Sequence, residues 1–167
     1  MARLVLTDAS PLIGLARIDA LDWLRALFGT VWIPSEVRAE VLPGRGLADE
    51  AAIAAAGAKG WLRQTEPSPA EPALPDLDEG EAACIRIALA HAGPSLLLMD
   101  ERAGRAIAAE HGLRVAGTAA VVGMAKTRGL IPSSGFGSAR EVFARLHGAD
   151  FRISVQVIET VLRRVGE

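Results

Sequence analysis

Apolar positions along the chain fall into short runs that stop on an acid or a turn residue, and the runs alternate with stretches of helical period. Leu4-Val5-Leu6-Thr7 runs into Asp8, and Leu96-Leu97-Leu98-Met99 runs into Asp100-Glu101. Such runs read as buried strands, each feeding a helix. The pattern predicts strands at residues 3–7, 31–33, 95–99 and 114–116, with a short edge strand at 61–65.

Helix signals separate these strands. Ser10 and Pro11 take the N-cap and first helical positions of a helix whose inward face is Leu12, Leu15 and Ala16. Asp19 caps residues 20–28, and Gly29 ends that helix. Ser35 caps a helix running to Val41, and residues 48–59 form an alanine-rich helix ended by Gly60. Residues 66–75, with prolines at 67, 69, 72 and 75, make an extended connection. Asp78-Glu79-Gly80-Glu81 begins a strong helix through Ala92, and further helices are predicted at 101–111, 119–128, 138–146 and 154–165, with a turn-rich loop at 131–137. Strand and helix alternate from residue 3 to residue 130, which implies an α/β fold: a parallel sheet with helices on both faces.

Half of the 167 residues are apolar. That suffices for one domain, residues 1–167, with a sizeable core and a C-terminal helical extension at 151–167. The apolar runs fall far short of the ~20 residues a membrane helix needs, and the first acid comes too early for a signal peptide. A soluble, cytoplasmic protein is expected. With Cys84 the one cysteine, an intramolecular disulfide is excluded and a zinc site is disfavoured; Cys84 reads as a small apolar helix residue. The formal net charge of −2 gives no footprint for nonspecific nucleic-acid binding, and an aromatic content of 4% leaves little for base stacking. A cluster of metal-binding acids would make that charge misleading, because a bound cation offsets it.

The acids are therefore the candidate chemistry. Asp8 and Asp100 stand at carboxyl ends of strands, where open α/β sheets bind ligands. Asp100 could instead cap its helix, with Glu101 as a first-turn acid. Glu40 lies late in its helix, where the dipole disfavours an acid by about 0.3 to 1 kcal/mol, so helix stability does not account for it. Glu81 fits the acidic form of a capping box, Asp78-x-x-Glu81, as well as it fits a site. Four carboxylates in one pocket repel unless some protonate or a cation binds, and oxygen ligands alone select Mg²⁺ or Mn²⁺. Such a site suits phosphoryl chemistry. Arg102 and Arg105 follow Asp100 closely enough to meet a phosphate, whereas Lys126 and Arg128 suit a helix C-terminus. His91, His111 and His147 read as structural.

Several motifs, in order, resemble those of PIN-domain proteins: Thr7-Asp8-Ala9-Ser10-Pro11-Leu12-Ile13, Ile33-Pro34-x-x-Val37-x-x-Glu40, Leu77-Asp78-x-Gly80-Glu81-Ala82, Leu97-Leu98-Met99-Asp100-Glu101-Arg102 and Gly117-Thr118. The chain is most similar to the prokaryotic VapC-like subgroup with an Asp-Glu-Arg signature. The resemblance implies a three-layer α/β/α sandwich around a parallel sheet of about five strands. It also implies a metal-dependent ribonuclease, often a toxin restrained by an antitoxin protein, and a homodimer whose interface residues 20–28 and 48–59 could supply. Asp8, Glu40, Glu81 and Asp100 match the family's acids, with Asp8, Glu81 and Asp100 as metal ligands. Ser10 matches a supporting hydroxyl, and Thr118 matches a polar residue after the last strand, although it would also serve as a helix cap. Ala83 departs from the subgroup, which often has a second Glu there, and Met99-Asp100-Glu101-Arg102 replaces the Thr-Asn-Asp-x-Asp type. Both departures bear on a second metal.

Two other readings stand beside the nuclease. A receiver-like phosphoacceptor also places acids, a Thr and a Lys at strand ends, but it needs an acid pair where this chain has Thr7-Asp8. A PIN-like protein-binding module with weakened catalysis is the other, motivated by Ala83.

Overall fold

The computed structural model describes residues 3–133 and 135–167. Strands β1 (Leu4–Thr7), β2 (Val31–Ile33), β3 (Leu62–Gln64), β4 (Ser95–Leu98) and β5 (Arg114–Ala116) form one sheet in the order β3-β2-β1-β4-β5. Every neighbouring pair is parallel. Helices α1 (Ala9–Arg17) and α2 (Asp22–Phe28) follow β1; α3 (Ser35–Val41) and α4 (Ala48–Ala58) follow β2. Helix α5 (Glu79–Ala90) precedes β4, and α6 (Arg102–Glu110) joins β4 to β5. Helices α7 (Thr118–Thr127), α8 (Leu130–Ser133), α9 (Ala139–Gly148) and α10 (Val155–Arg164) come last. The helices flank the sheet as an α/β/α sandwich, with α1 against α4 and α7, and α5 against α3 and α6.

The sandwich follows from the apolar runs. Strands with helices on both faces must be apolar throughout, and Leu6, Leu97, Leu98 and Met99 are all completely buried. Each such side chain contributes about 1.5 to 3 kcal/mol by leaving water. Helices α2 and α4 also turn apolar residues inward: Trp23, Leu24, Ile53 and Ala56 are buried. Cys84 is buried on α5, behaving as the expected small apolar residue. Among the described residues no helix is long and apolar enough to cross a membrane.

The sheet order argues against the receiver-like alternative. That fold has the order 2-1-3-4-5, whereas here β2 and β3 both lie on one side of β1.

Several boundaries differ from those the sequence predicts. Helix α1 opens at Ala9 with Asp8, not Ser10, in the N-cap position, and the Asp8 side chain makes no cap bond. The Asp8 amide still donates to the Leu98 carbonyl, 2.9 Å away, so the helix starts as soon as the β1–β4 ladder ends. Asp19 does not cap α2. It sits in a turn at φ +57°, a conformation Asp tolerates, and α2 begins only at Asp22. Glu101, rather than Asp100, holds the N-cap position of α6, and Gly117, rather than Thr118, that of α7. Helix α5 stops at Ala90 because His91 is extended. The predicted loop at 131–137 contains part of α8, since Ile131 is drawn fully into the core; Ser134 of that loop lies outside the described residues.

The C-terminal segment is fastened at three points. A Cβ on Gly14 would lie 2.7 Å from the Phe151 ring, so α1 accepts Phe151 only because that residue is glycine. Gly123 of α7 admits Val161 of α10 in the same way, at 3.1 Å. Glu167 accepts hydrogen bonds from the Ala139 and Arg140 amides at 2.7 and 3.1 Å and pairs with Lys126 at 3.1 Å. Lys126 is therefore ion-paired across elements rather than only serving the dipole of its own helix.

Candidate active site

The reversal of strand order in this sheet falls at β1 and β4. Chain order runs from β1 to β2 on one side, while β4 pairs with β1 on the other, which leaves a crevice at their carboxyl ends. Thr7 pairs with Leu98, so the two strands end in step. Asp8 emerges one residue beyond this pair and Asp100 two beyond it. The crevice is thereby flanked by carboxylates.

Asp8 is 3% exposed, and its Oδ1 is buried without a hydrogen-bond partner. Burial pushes its carboxyl up to about 7, only partly countered by the Ala9 amide, and the negative charges of Asp78, Glu40 and Asp100 push it further. Loss of solvent dominates, since one amide replaces little of the water that the charged form loses.

Helix α5 brings the next acids. Asp78 caps it, accepting from the Glu81 amide at 2.8 Å, as the capping box predicts. The carboxyl of Glu81 is also buried and is raised by burial, by a hydrogen bond with Asp78 and by the charges of Asp78, Asp8 and Glu101. The local packing depends on two glycines. A Cβ on Gly80 would lie 3.1 Å from Asp8 Oδ1 and 3.5 Å from Asp78 Oδ1, and one on Gly104 would lie 2.7 Å from Glu81 Oε2. Glycine at these places lets α5 and α6 close on the carboxylates.

Asp100 is held differently. Its Oδ1 accepts from the Thr118 amide at 2.7 Å and its Oδ2 from the Thr118 hydroxyl at 2.8 Å. Burial raises the Asp100 carboxyl; these two bonds and the Arg105 charge oppose that rise. Arg105 also donates to the Met99 carbonyl at 3.4 Å. Gly117 again makes room, because a Cβ there would stand 2.5 Å from Arg105 Nη1 and 3.0 Å from Asp100 Oδ1.

The other residues singled out in the sequence are less buried than Asp8 and Glu81. Glu40 is exposed on α3, with its carboxyl raised by partial burial and by Asp78. Ser10 is half-buried in the first turn of α1, two residues after Asp8. Arg102 and Arg105 are exposed at the start of α6 and line a groove of about 940 Å³ that reaches Asp100. Sequence reasoning had confined Asp78 to capping, yet its charge acts on Asp8, Glu40 and Glu81 alike. Its capping role hid it. Gly80 and Gly117, each beside a motif residue, carried the overlooked signal of close packing.

Oxygen atoms make up the donor set, which suits a hard divalent ion. Among the described residues no three acid, histidine or cysteine side chains stand ready to grip a metal. The unpartnered Asp8 Oδ1 nevertheless fits an ion bound by a few carboxylates and otherwise by water, the way Mg²⁺ is commonly held.

A family model described as PIN domain matches residues 4–167. A search of curated proteins returns no match, and neither does a search of solved structures. PIN domains are in general nucleases and typically use divalent metals. The parallel five-stranded sheet, the acids at its switch point and a match over nearly the whole sequence agree, and the chain belongs to the PIN-domain family.

Proposed function

We propose that the chain is a Mg²⁺- or Mn²⁺-dependent endoribonuclease, the toxin of a VapC-like toxin–antitoxin pair, acting on RNA in the cytoplasm. The observation that carries this reading is the buried, unpartnered Asp8 Oδ1 among acids at the β1–β4 crevice. Asp8, Glu81 and Asp100 would hold the ion. When bound, a divalent ion lowers the pKa of an attacking water and stabilises the leaving oxygen of an in-line displacement.

The chain's own residues supply the rest. Thr118 fixes both oxygens of Asp100, and Gly80 and Gly104 keep Asp8 and Glu81 free of steric displacement. Glu40, exposed on α3 with a raised carboxyl, would orient water and accept its proton, a task that favours a pKa nearer neutrality. A partner antitoxin and a homodimer belong to the same reading. Purified protein should cleave RNA when Mn²⁺ is added, and Asp8→Asn or Asp100→Asn should abolish cleavage while circular dichroism shows that the fold persists. Cleavage retained in both variants would defeat the assignment.

A binding module with weakened catalysis is the second reading. It draws on the fully buried Ala83 and on the lack of a ready-made metal grip among the described residues. It requires that Mn²⁺ fail to bind near neutral pH.

A further inference from the structure

The groove that reaches Asp100 has a second wall outside the acidic centre. One side carries Arg102 and Arg105 of α6; the other carries Arg152 and Arg164, from the segment before α10 and from its last turn. Among the described residues that line the groove, Asp100 is the one acid and four are arginines, in a protein whose formal net charge is −2. Ile153, Val157 and Val161 line the groove as well and make much of the lining apolar.

We infer that this groove is the path of the substrate, a single-stranded RNA whose phosphates are held by Arg152 and Arg164 as well as by Arg102 and Arg105. The inference rests on the nuclease reading of the Asp8–Asp100 crevice and names the surface that feeds it. Charge complementarity selects a polyanion. The apolar part of the lining selects a strand with unpaired bases, because a duplex turns its base faces inward and offers only backbone and groove edges. The second wall is built in advance. Phe151 is seated against Gly14, Val161 against Gly123, and Leu162 is buried, so the arginines of this wall stand on an anchored frame and little ordering is needed on binding.

Binding is measured separately from cleavage, by fluorescence anisotropy of a labelled unstructured oligoribonucleotide with EDTA present and across a salt series. Arg152→Ala combined with Arg164→Ala is expected to weaken binding roughly tenfold and to reduce the slope of log affinity against log salt by about 1.4. Lysine at both positions should restore most of the slope, and Arg25→Ala, on the exposed side of α2, should change neither quantity. Circular dichroism of each variant confirms that the fold persists. Unchanged RNA affinity in the double alanine variant, with Mn²⁺-dependent cleavage intact in the parent, would overturn the groove while leaving the nuclease reading standing, and would point to a protein as its occupant. Tighter binding of duplex than of single strand would overturn it too. A parent protein that neither binds nor cuts RNA would overturn both.

Discussion

Thr118 grips Asp100 twice, through its amide at 2.7 Å and its hydroxyl at 2.8 Å, and so joins the first residue of α7 to the acid beyond β4. The amide bond belongs to the backbone and survives any substitution except proline. The hydroxyl bond does not. Thr118→Val keeps the shape and should cost about 1.5 to 3 kcal/mol in urea unfolding, since the lost bond goes to a charged acceptor in a buried place. It should also lower activity, while Thr118→Ser keeps both. Equal stability and activity in the valine variant would show that the amide alone positions Asp100.

Gly104 tests how closely the helices must approach. A Cβ there would stand 2.7 Å from both Glu81 Oε2 and Met99 Sδ, and the site is buried. Gly104→Ala should destabilise by about 1 to 3 kcal/mol through overpacking, even though alanine is the better helix former. Displacement of Glu81 should reduce metal-dependent activity as well. A variant more stable than the parent would mean that α6 moves aside freely.

Acid burial sets a pH dependence with a definite sign. The Asp8 carboxyl is raised from 3.8 to about 7, and Glu81, Asp100 and Glu40 are raised too. The folded protein then binds more protons than the unfolded chain between the ordinary carboxylate range and about 8, where the raised Glu81 titrates, so stability falls as pH rises from about 4 to 8 and levels off above. Thermal melts in EDTA should show this fall, to which Asp8 alone contributes about 4 kcal/mol, and Asp8→Asn should remove that share. Stability rising across that window would contradict the burial of Asp8 as a lone acceptor. Glu167 has the opposite sign: its hydrogen bonds and Lys126 lower its carboxyl, so its contribution is lost on acidification below its ordinary range.

Glu167 also makes a structural prediction. Its carboxylate satisfies two amides at the start of α9 and pairs with Lys126. Glu167→Ala should cost about 1 to 2 kcal/mol, as loss of a helix N-terminal cap does. Glu167→Gln should recover part of this, because an amide oxygen still accepts from one N–H. No change in chemical denaturation would show that water replaces the cap.

The sheet and most helices were legible because apolar runs of β length had nowhere to go except between two helical layers. Asp8 and Asp100 were legible for the same reason, since each directly follows such a run. Boundaries were not. Ser10 looked like a cap by residue type, but Asp8 reached that position because the backbone ladder with Leu98 ends there. Asp78 illustrates a different limit: one carboxyl both caps α5 and shapes the charge around Asp8, and a sequence motif reveals only the first role. That Arg152 and Arg164 share a groove with Arg102 and Arg105 was not legible, because what brings them there is the docking of α10 on α7, with Val161 against Gly123.

On the proposed reading, the carboxylates at the β1–β4 crevice bind a divalent cation. Calorimetric titration of Mn²⁺ into the metal-free protein at pH 8, above the raised carboxyl of Asp8, tests it most directly. Saturable binding that raises the melting temperature and disappears in Asp8→Asn is the expected result. Absence of binding in the parent, or equal binding in Asp8→Asn, would contradict it.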